Sequence, residues 1–165
     1  MTSQSTPLLT PAGRDRLQQR LQSATSAFQA VCADNEVAAT CGETSVWHDS
    51  FDYEENQRQM HMLARQVQEL RRLLQTAHVT DPRRLVPRCV EVGCVVAYRI
   101  GEGAVQEWHI AGWDDGDPKL RRLAYNSPLG QVLLGAEPGE LREWRCAGKV
   151  QEVEILRVGP GPKES

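Results

Sequence analysis

The sequence predicts a two-domain, α plus (α+β) protein, in which an antiparallel helical hairpin is followed by a small α+β domain. Within residues 17–31 and 53–77, apolar side chains recur mostly every three or four positions, which is the period of a helix that buries one stripe of its surface. After Pro82 and Pro87, apolar and polar residues tend to alternate instead, which is the period of β-strands. The two prolines therefore mark a linker between a helical half and a half built around a sheet.

The helical half predicts two helices that pack along matched apolar stripes. Thr10 followed by Pro11 is a typical helix start, with a side-chain cap and a proline in the first turn. The stripe of the first helix consists of Leu17, Leu21, Ala24, Phe28 and Val31; that of the second consists of Tyr53, Met60, Leu63, Val67, Leu70, Leu74 and Ala77, with Asn56 as a polar seam residue. Helices of about 27 residues joined by about ten residues should fold back into an antiparallel hairpin about 40 Å long.

The second half predicts a small mixed domain. Strands are expected within residues 89–100, 104–113, 121–126, 140–146 and 150–158, and turns at 101–103, 114–117 and 147–149. A short helix is expected between them, capped by Ser127, opened by Pro128 and closed by Gly135. Its apolar residues, which are expected to be mostly core, are Leu129, Val132, Leu133 and Leu134.

The predicted domain limits follow from these patterns. They are residues 1–81 for the hairpin with its tip at about 42–55, 82–87 for the linker, 88–158 for the C-terminal domain and 159–165 for a flexible tail.

The predicted tip is strongly acidic. Five carboxylates fall here with no Lys or Arg among them: Glu43, Asp49, Asp52, Glu54 and Glu55. Trp47 and His48 lie in the middle of this segment. One interpretation is structural, because acids in the first turn of a helix stabilise it by about 0.3–1 kcal/mol each and the tryptophan can close the hairpin seam. The other is functional, with the acids and the two rings making contact with a partner.

Composition excludes several classes of protein. A net charge of −3 and a pI of about 5.8 do not indicate a general polyanion binder. No apolar run approaches the roughly 18 residues that cross a bilayer, and no secretory signal is visible, so a cytoplasmic protein without a membrane partner is expected. The five cysteines are odd in number and lack CxxC spacing, which favours reduced thiols over disulfides or zinc. No tightly bound cofactor is expected.

Three stretches carry a family resemblance. "LTPAGRDRLQQRL" and "ARQVQELRRLLQTAHVTD" resemble the opening of the first helix and the close of the second helix in the bacterial Gre transcript-cleavage factors, the GreA/GreB family. "NSPLGQVLLGAEPGELREW" is similar to the Ser-Pro-Leu-Gly signature of that family, and the match extends over about residues 8–158. The resemblance implies an N-terminal coiled-coil hairpin and a C-terminal FKBP-like domain.

The resemblance also implies a partner and a mode of action. In that family the globular domain binds the rim of the secondary channel of RNA polymerase, which here would involve the signature residues Ser127, Pro128, Leu129 and Gly130. The hairpin passes down the channel, and two tip acids help to hold a second Mg²⁺ in the polymerase active site. The expected partner is therefore core RNA polymerase, with the 3′ end of the nascent RNA as a further contact. The protein is expected to be a monomer and no enzyme itself, sharing the Mg²⁺ of the polymerase.

The tip departs from the family pattern Gly-Asp-x-x-Glu-Asn-Ala-Glu-Tyr. Alignment on Tyr53 places the family's Glu on Asp49 and its Asp on Val46, whereas alignment from the first helix makes Glu43 and Asp49 the acidic pair. Asp49 is common to both, so we expect it to be directed at the metal, with Glu43 or Asp52 as its partner. Weak or absent cleavage stimulation, with inhibition or regulation of transcription, is therefore expected. The alternatives are a true anti-arrest cleavage factor and an FKBP-like peptidyl-prolyl isomerase or chaperone.

Overall fold

The described part of the chain divides into two compact units. The computed structural model describes residues 6–40, 49–80 and 87–162, with backbone only for 35–40 and 49–53. By their contacts, Asp15–Thr76 form one unit, and Met1–Arg14 form the other together with Ala77–Ser165. This division differs from the predicted ranges of 1–81 and 88–158, because the short segments that flank the helices pair with each other and belong to the sheet-containing unit.

Two long helices form the first unit. Helix α1 spans Pro11–Thr40 and helix α2 spans Asp49–Thr76. Their most buried side chains are Leu17, Ala24, Val67 and Leu70, and all four belong to the two predicted stripes. The apolar period therefore identified the buried faces correctly. Within the described ranges, neither helix carries the long apolar stretch that a bilayer-crossing helix needs.

A five-stranded sheet forms the centre of the second unit. Its strands are β3 (Val95–Ile100), β4 (Gln106–Ala111), β5 (Arg122–Ala124), β6 (Leu141–Cys146) and β7 (Lys149–Gly159). They lie in the order β5-β4-β3-β7-β6, and all neighbours are antiparallel except β4 and β5. A single turn of 3-10 helix, Pro118–Leu120, precedes β5.

The predicted strands are present, with one correction. Residues 89–94 were predicted as the start of the first of these strands, but they precede it, and residues 91–94 form a turn. Gly93 has φ +97, and the Cys94 amide donates to the Glu91 carbonyl at 3.2 Å. The predicted turn at 147–149 is confirmed, since Ala147 and Gly148 both have positive φ and join β6 to β7 as a two-residue hairpin loop.

The core of this unit lies between the sheet and helix α3, which spans Pro128–Leu133. Val96, Ile110, Leu133, Val153 and Ile155 are all fully buried. Alternation along each strand explains this set, because only every second residue of a strand can face the helix.

A short parallel pair of strands, absent from the predictions, completes the unit. Strand β1 (Leu8–Leu9) precedes α1, and strand β2 (His78–Val79) follows α2. Leu8 pairs with His78 and Leu9 with Val79. Leu9 is 2% exposed and Thr10 is 0% exposed, so the residues that lead into α1 belong to the core of the sheet unit.

Candidate functional site

The predicted metal-directed acids lie at the start of α2. Asp49 is the first residue of that helix, and Asp52 follows within its first turn. The side chains of both, together with the whole of Glu43, Trp47 and His48, lie outside the described residues. Their roles therefore stay predictions.

Glu54 and Glu55, the two remaining acids of the tip, differ in their surroundings. Glu54 is exposed. Glu55 accepts hydrogen bonds from the Arg58 guanidinium at 3.0 Å and from Gln59 Nε2 at 3.2 Å. The hydrogen bond from Arg58 is the main reason that the pKa of Glu55 lies below its ordinary value. Glu55 thus has a structural use on the surface of α2, as expected for an acid three residues before an arginine.

The Ser-Pro-Leu-Gly signature forms the start of α3. Ser127 has extended backbone angles, and its Oγ accepts from the Gly130 amide at 3.1 Å, which is the geometry of an N-cap. The same hydroxyl donates to the Ala124 carbonyl at 2.7 Å. Pro128 follows at the first helical position, where its missing N–H costs nothing. The predicted cap is therefore confirmed, and it also ties α3 to the end of β5.

Gly130 is required by the close approach of α3 to that strand. A Cβ atom at this position would lie 2.2 Å from the Ala124 carbonyl oxygen and 2.9 Å from the backbone of Tyr125. Gly130 is buried, Ser127 and Leu129 are half-buried, and Pro128 is exposed. Of the four residues predicted to bind polymerase, two thus have defined structural roles, and Pro128 is the one that is exposed.

Arg142 of β6 holds the other end of α3, and no sequence pattern had pointed to it. Its guanidinium donates to the carbonyls of Val132 and Leu134, each at 2.9 Å, and to the Glu140 carboxylate at 2.9 Å. The hydrogen bond from Arg142 lowers the pKa of Glu140. Because the last carbonyls of a helix have no partners within it, this arginine supplies partners at the end of α3, and Ser127 supplies one at its start.

The described residues also define the chemistry of the thiols. Burial raises the pKa of Cys94 to about 11, and burial likewise raises the pKa of Cys89. Cys146 is exposed, and the four cysteines within the described ranges are free thiols. In those same ranges, no three His, Cys, Asp or Glu residues are grouped so that they could hold a metal ion.

Comparison with known proteins places these features in a family. Residues 86–160 match the family model described as "Transcription elongation factor, GreA/GreB, C-term". Transcription elongation factor GreA of Chloroflexus aurantiacus is 31% identical over 152 residues, which cover 91% of this chain and 95% of that protein. GreA of Chloroflexus aggregans is 28% identical over 152 residues, with the same coverage of 91% and 95%.

Among solved structures, the GreA factor homolog 1 (Gfh1) protein of Thermus thermophilus has 16% sequence identity and a TM-score of 0.44, covering 93% of this chain and 99% of that one. The relatives from Chloroflexus match along nearly the whole chain, helical unit included. On that sequence match, the chain belongs to the GreA/GreB family of transcription elongation factors.

Proposed function

We propose that this chain is a cytoplasmic regulator of transcription that binds core RNA polymerase through its sheet unit and carries its acidic tip into the secondary channel. The observation that supports this most directly is the match to GreA over 91% of the chain, since it includes the helices as well as the C-terminal unit. In this proposal the protein acts as a monomer and is not an enzyme. It modifies what the polymerase active site does, and the 3′ end of the nascent RNA is a further contact of the tip.

The sheet unit supports a role in docking because hydrogen bonds hold residues 127–130 at the start of α3, here called the signature corner, against the end of β5. Helix α3 is held at its start by Ser127 and beyond its end by Arg142. An exposed residue on such a corner loses little conformational freedom on binding, which favours affinity. We propose that Pro128 and the neighbouring half-buried Leu129 make the polymerase contact, while Ser127 and Gly130 shape the corner. We also propose that this unit is FKBP-like.

The length of the two helices supports the proposal that they carry the acidic tip into the secondary channel. Helix α1 has 30 residues and helix α2 has 28, so each is about 40–45 Å long at about 1.5 Å per residue. We propose that they pack as an antiparallel coiled coil through the stripes that contain Leu17 and Leu70. Residues 49–55 of the acidic segment form the start of α2, so in this proposal the tip acids are carried at the end of α2 opposite to Thr76.

The tip chemistry depends on carboxylates. Mg²⁺ prefers carboxylate oxygens and retains several waters, and a second Mg²⁺ supplies activation of water and charge stabilisation in phosphodiester hydrolysis. We propose that Asp49 is directed at this ion, with Glu43 or Asp52 as its partner. An aspartate is one methylene shorter than the glutamate of the family pattern. Because a misplacement of about 1 Å can cost about 100-fold in rate, the proposed effect is inhibition or regulation, with weak cleavage.

The test compares Asp49→Asn with Glu69→Gln. Both remove one carboxylate charge from α2, but Glu69 is an exposed residue far along the helix from the tip. Elongation rate and RNA cleavage are measured on stalled elongation complexes, and the affinity for core polymerase is measured separately. We expect Asp49→Asn to abolish the effect on elongation with affinity unchanged within about twofold, and Glu69→Gln to behave as the wild type.

Two outcomes would contradict the proposal. Strong RNA cleavage with the wild-type protein would identify it as an anti-arrest factor instead of an inhibitor. An Asp49→Asn protein with full effect would show that the acid serves only to stabilise the start of α2, since acids in a first turn stabilise a helix in any case.

A further inference from the structure

The backbone of Leu8 is held on both sides by the sheet unit. Its amide donates to the Tyr125 hydroxyl at 3.0 Å, and its carbonyl accepts from the Trp113 amide at 2.9 Å. The two aromatic rings lie edge to face, with centroids 6.2 Å apart. We call these two hydrogen bonds to Leu8 the Leu8 clamp.

The next residues continue this attachment into the first turn of α1. Leu9 approaches Gly112 so closely that a Cβ atom on that glycine would lie 3.0 Å from the Leu9 Cα atom and 3.1 Å from the Leu8 carbonyl oxygen. Thr10 is fully buried, and its hydroxyl caps α1 by accepting from the Gly13 amide at 3.0 Å. The origin of α1 is therefore built into the sheet unit by close contact, and chain connectivity alone would not require this.

Tyr125 connects that origin to the signature corner. Its amide donates to the Ala111 carbonyl at 3.1 Å, at the end of β4. Its backbone is one of the nearest neighbours of Gly130, 2.9 Å from where a Cβ atom would be. One residue thus contacts the helix that carries the signature through its backbone, and the start of α1 through its hydroxyl.

We propose that Tyr125 is a positioning residue, whose hydroxyl fixes the backbone from which α1 begins so that the tip acts at the correct place. This inference rests on the proposed function. The physical reason is leverage: a tilt of about 2° at the origin of a helix about 45 Å long displaces its far end by about 1.5 Å. A displacement of that size is enough to reduce a position-dependent effect by about 100-fold.

The test uses Tyr125→Phe with Tyr98→Phe as a matched control. Tyr98 is also a buried tyrosine of the sheet unit, and its hydroxyl donates to Gln106 Oε1 at 3.3 Å, a hydrogen bond that is not part of the Leu8 clamp. Each variant removes one hydrogen-bonded hydroxyl and keeps the ring. The full-length proteins are compared in their affinity for core polymerase, in their effect on elongation, and in amide hydrogen exchange of Leu8 and along α1.

We expect Tyr125→Phe to increase exchange at Leu8 about fivefold, the size of one lost hydrogen bond, and to increase exchange through the first turns of α1. Its effect on elongation should fall at least threefold at saturating protein, with affinity for core polymerase within about twofold of the wild type. Tyr98→Phe should leave exchange at Leu8 and the effect on elongation unchanged.

Three results would overturn the inference. Equal losses in both variants would show general damage to the sheet. An unchanged effect on elongation despite faster exchange at Leu8 would show that the clamp is structural only. If the wild-type protein has no effect on elongation, the proposed function is wrong. Hydrogen exchange then tests the positioning role separately: if Tyr125→Phe speeds exchange at Leu8 but not along α1, the hydroxyl does not position the helix.

Discussion

Gly130→Ala is the substitution for which the structure predicts the largest effect on the signature corner. A Cβ atom added here would lie 2.2 Å from the Ala124 carbonyl oxygen, whereas ordinary contacts begin at 3.4 Å. Helix α3 and the end of β5 must therefore separate by about 1.2 Å. The atom that blocks the methyl group belongs to the backbone, so no side-chain rotation can relieve the contact.

The expected loss of stability follows from the contacts that this separation disrupts. Overpacking of a close contact costs about 1–3 kcal/mol. The two hydrogen bonds of the Ser127 hydroxyl span the same gap, and their loss adds about 1 kcal/mol each. Alanine is favoured over glycine within a helix by about 1 kcal/mol, which offsets part of the loss. We expect the free energy of unfolding of the sheet unit to fall by about 3 kcal/mol.

Urea denaturation followed by tryptophan fluorescence measures this change. Gly159→Ala is the matched control, because nothing lies within 4 Å of a Cβ atom at that position and its φ is not positive. It should change stability by less than about 0.5 kcal/mol. If Gly130→Ala is within about 1 kcal/mol of the wild type, the geometric reasoning is wrong. A stably folded Gly130→Ala protein that no longer binds polymerase would show instead that the glycine serves recognition.

Three further predictions concern the same unit. Ser127→Ala removes the cap of α3 and should lower stability by about 1 kcal/mol in the same urea assay, whereas a change near zero would indicate that the cap contributes little. Cys146 should react with a thiol reagent at pH 8 at least 100-fold faster than Cys94, because Cys94 is buried and its pKa is raised to about 11. Mass spectrometry of the labelled peptides measures the order of labelling, and labelling of Cys94 before Cys146 would contradict the prediction. Leu9→Ala should destabilise the sheet unit by about 2–5 kcal/mol, because Leu9 is 2% exposed. Leu120→Ala, at a residue that is 64% exposed, should be near neutral. Similar melting temperatures for the two variants would show that β1 adds no stability.

For the acidic tip, the family resemblance predicted which residue is directed at the metal, and that role stays a prediction. The sequence pointed to Asp49 through two alignments, and the structure places it at the first position of α2. Its carboxylate and those of Glu43 and Asp52 stay predictions. The described Glu55 shows the structural use of such an acid, since it pairs with Arg58 on the helix surface. Only function at the polymerase can separate the two interpretations for Asp49.

The sequence by itself determined the features that depend on neighbours along the chain. The three-and-four spacing identified the buried faces of α1 and α2, including Leu17 and Leu70. The caps at Thr10 and Ser127 were visible because capping depends on the next three residues. The turn at Ala147 was visible for the same reason, since a two-residue hairpin loop restricts its own residue types.

The tertiary structure alone decided the contacts between segments that are far apart in sequence. Leu8 and Tyr125 are 117 positions apart, and no local period reports that a backbone amide meets a hydroxyl at that distance. Arg142 of β6 donates to the carbonyls of Val132, in the last turn of α3, and of Leu134, just after it, so its role is invisible in the alternation of β6. Gly130 follows the same principle: a helix-permitting pattern suggests only that glycine is tolerated there, and the carbonyl oxygen of Ala124, 2.2 Å from any added Cβ, is the physical reason that glycine is required.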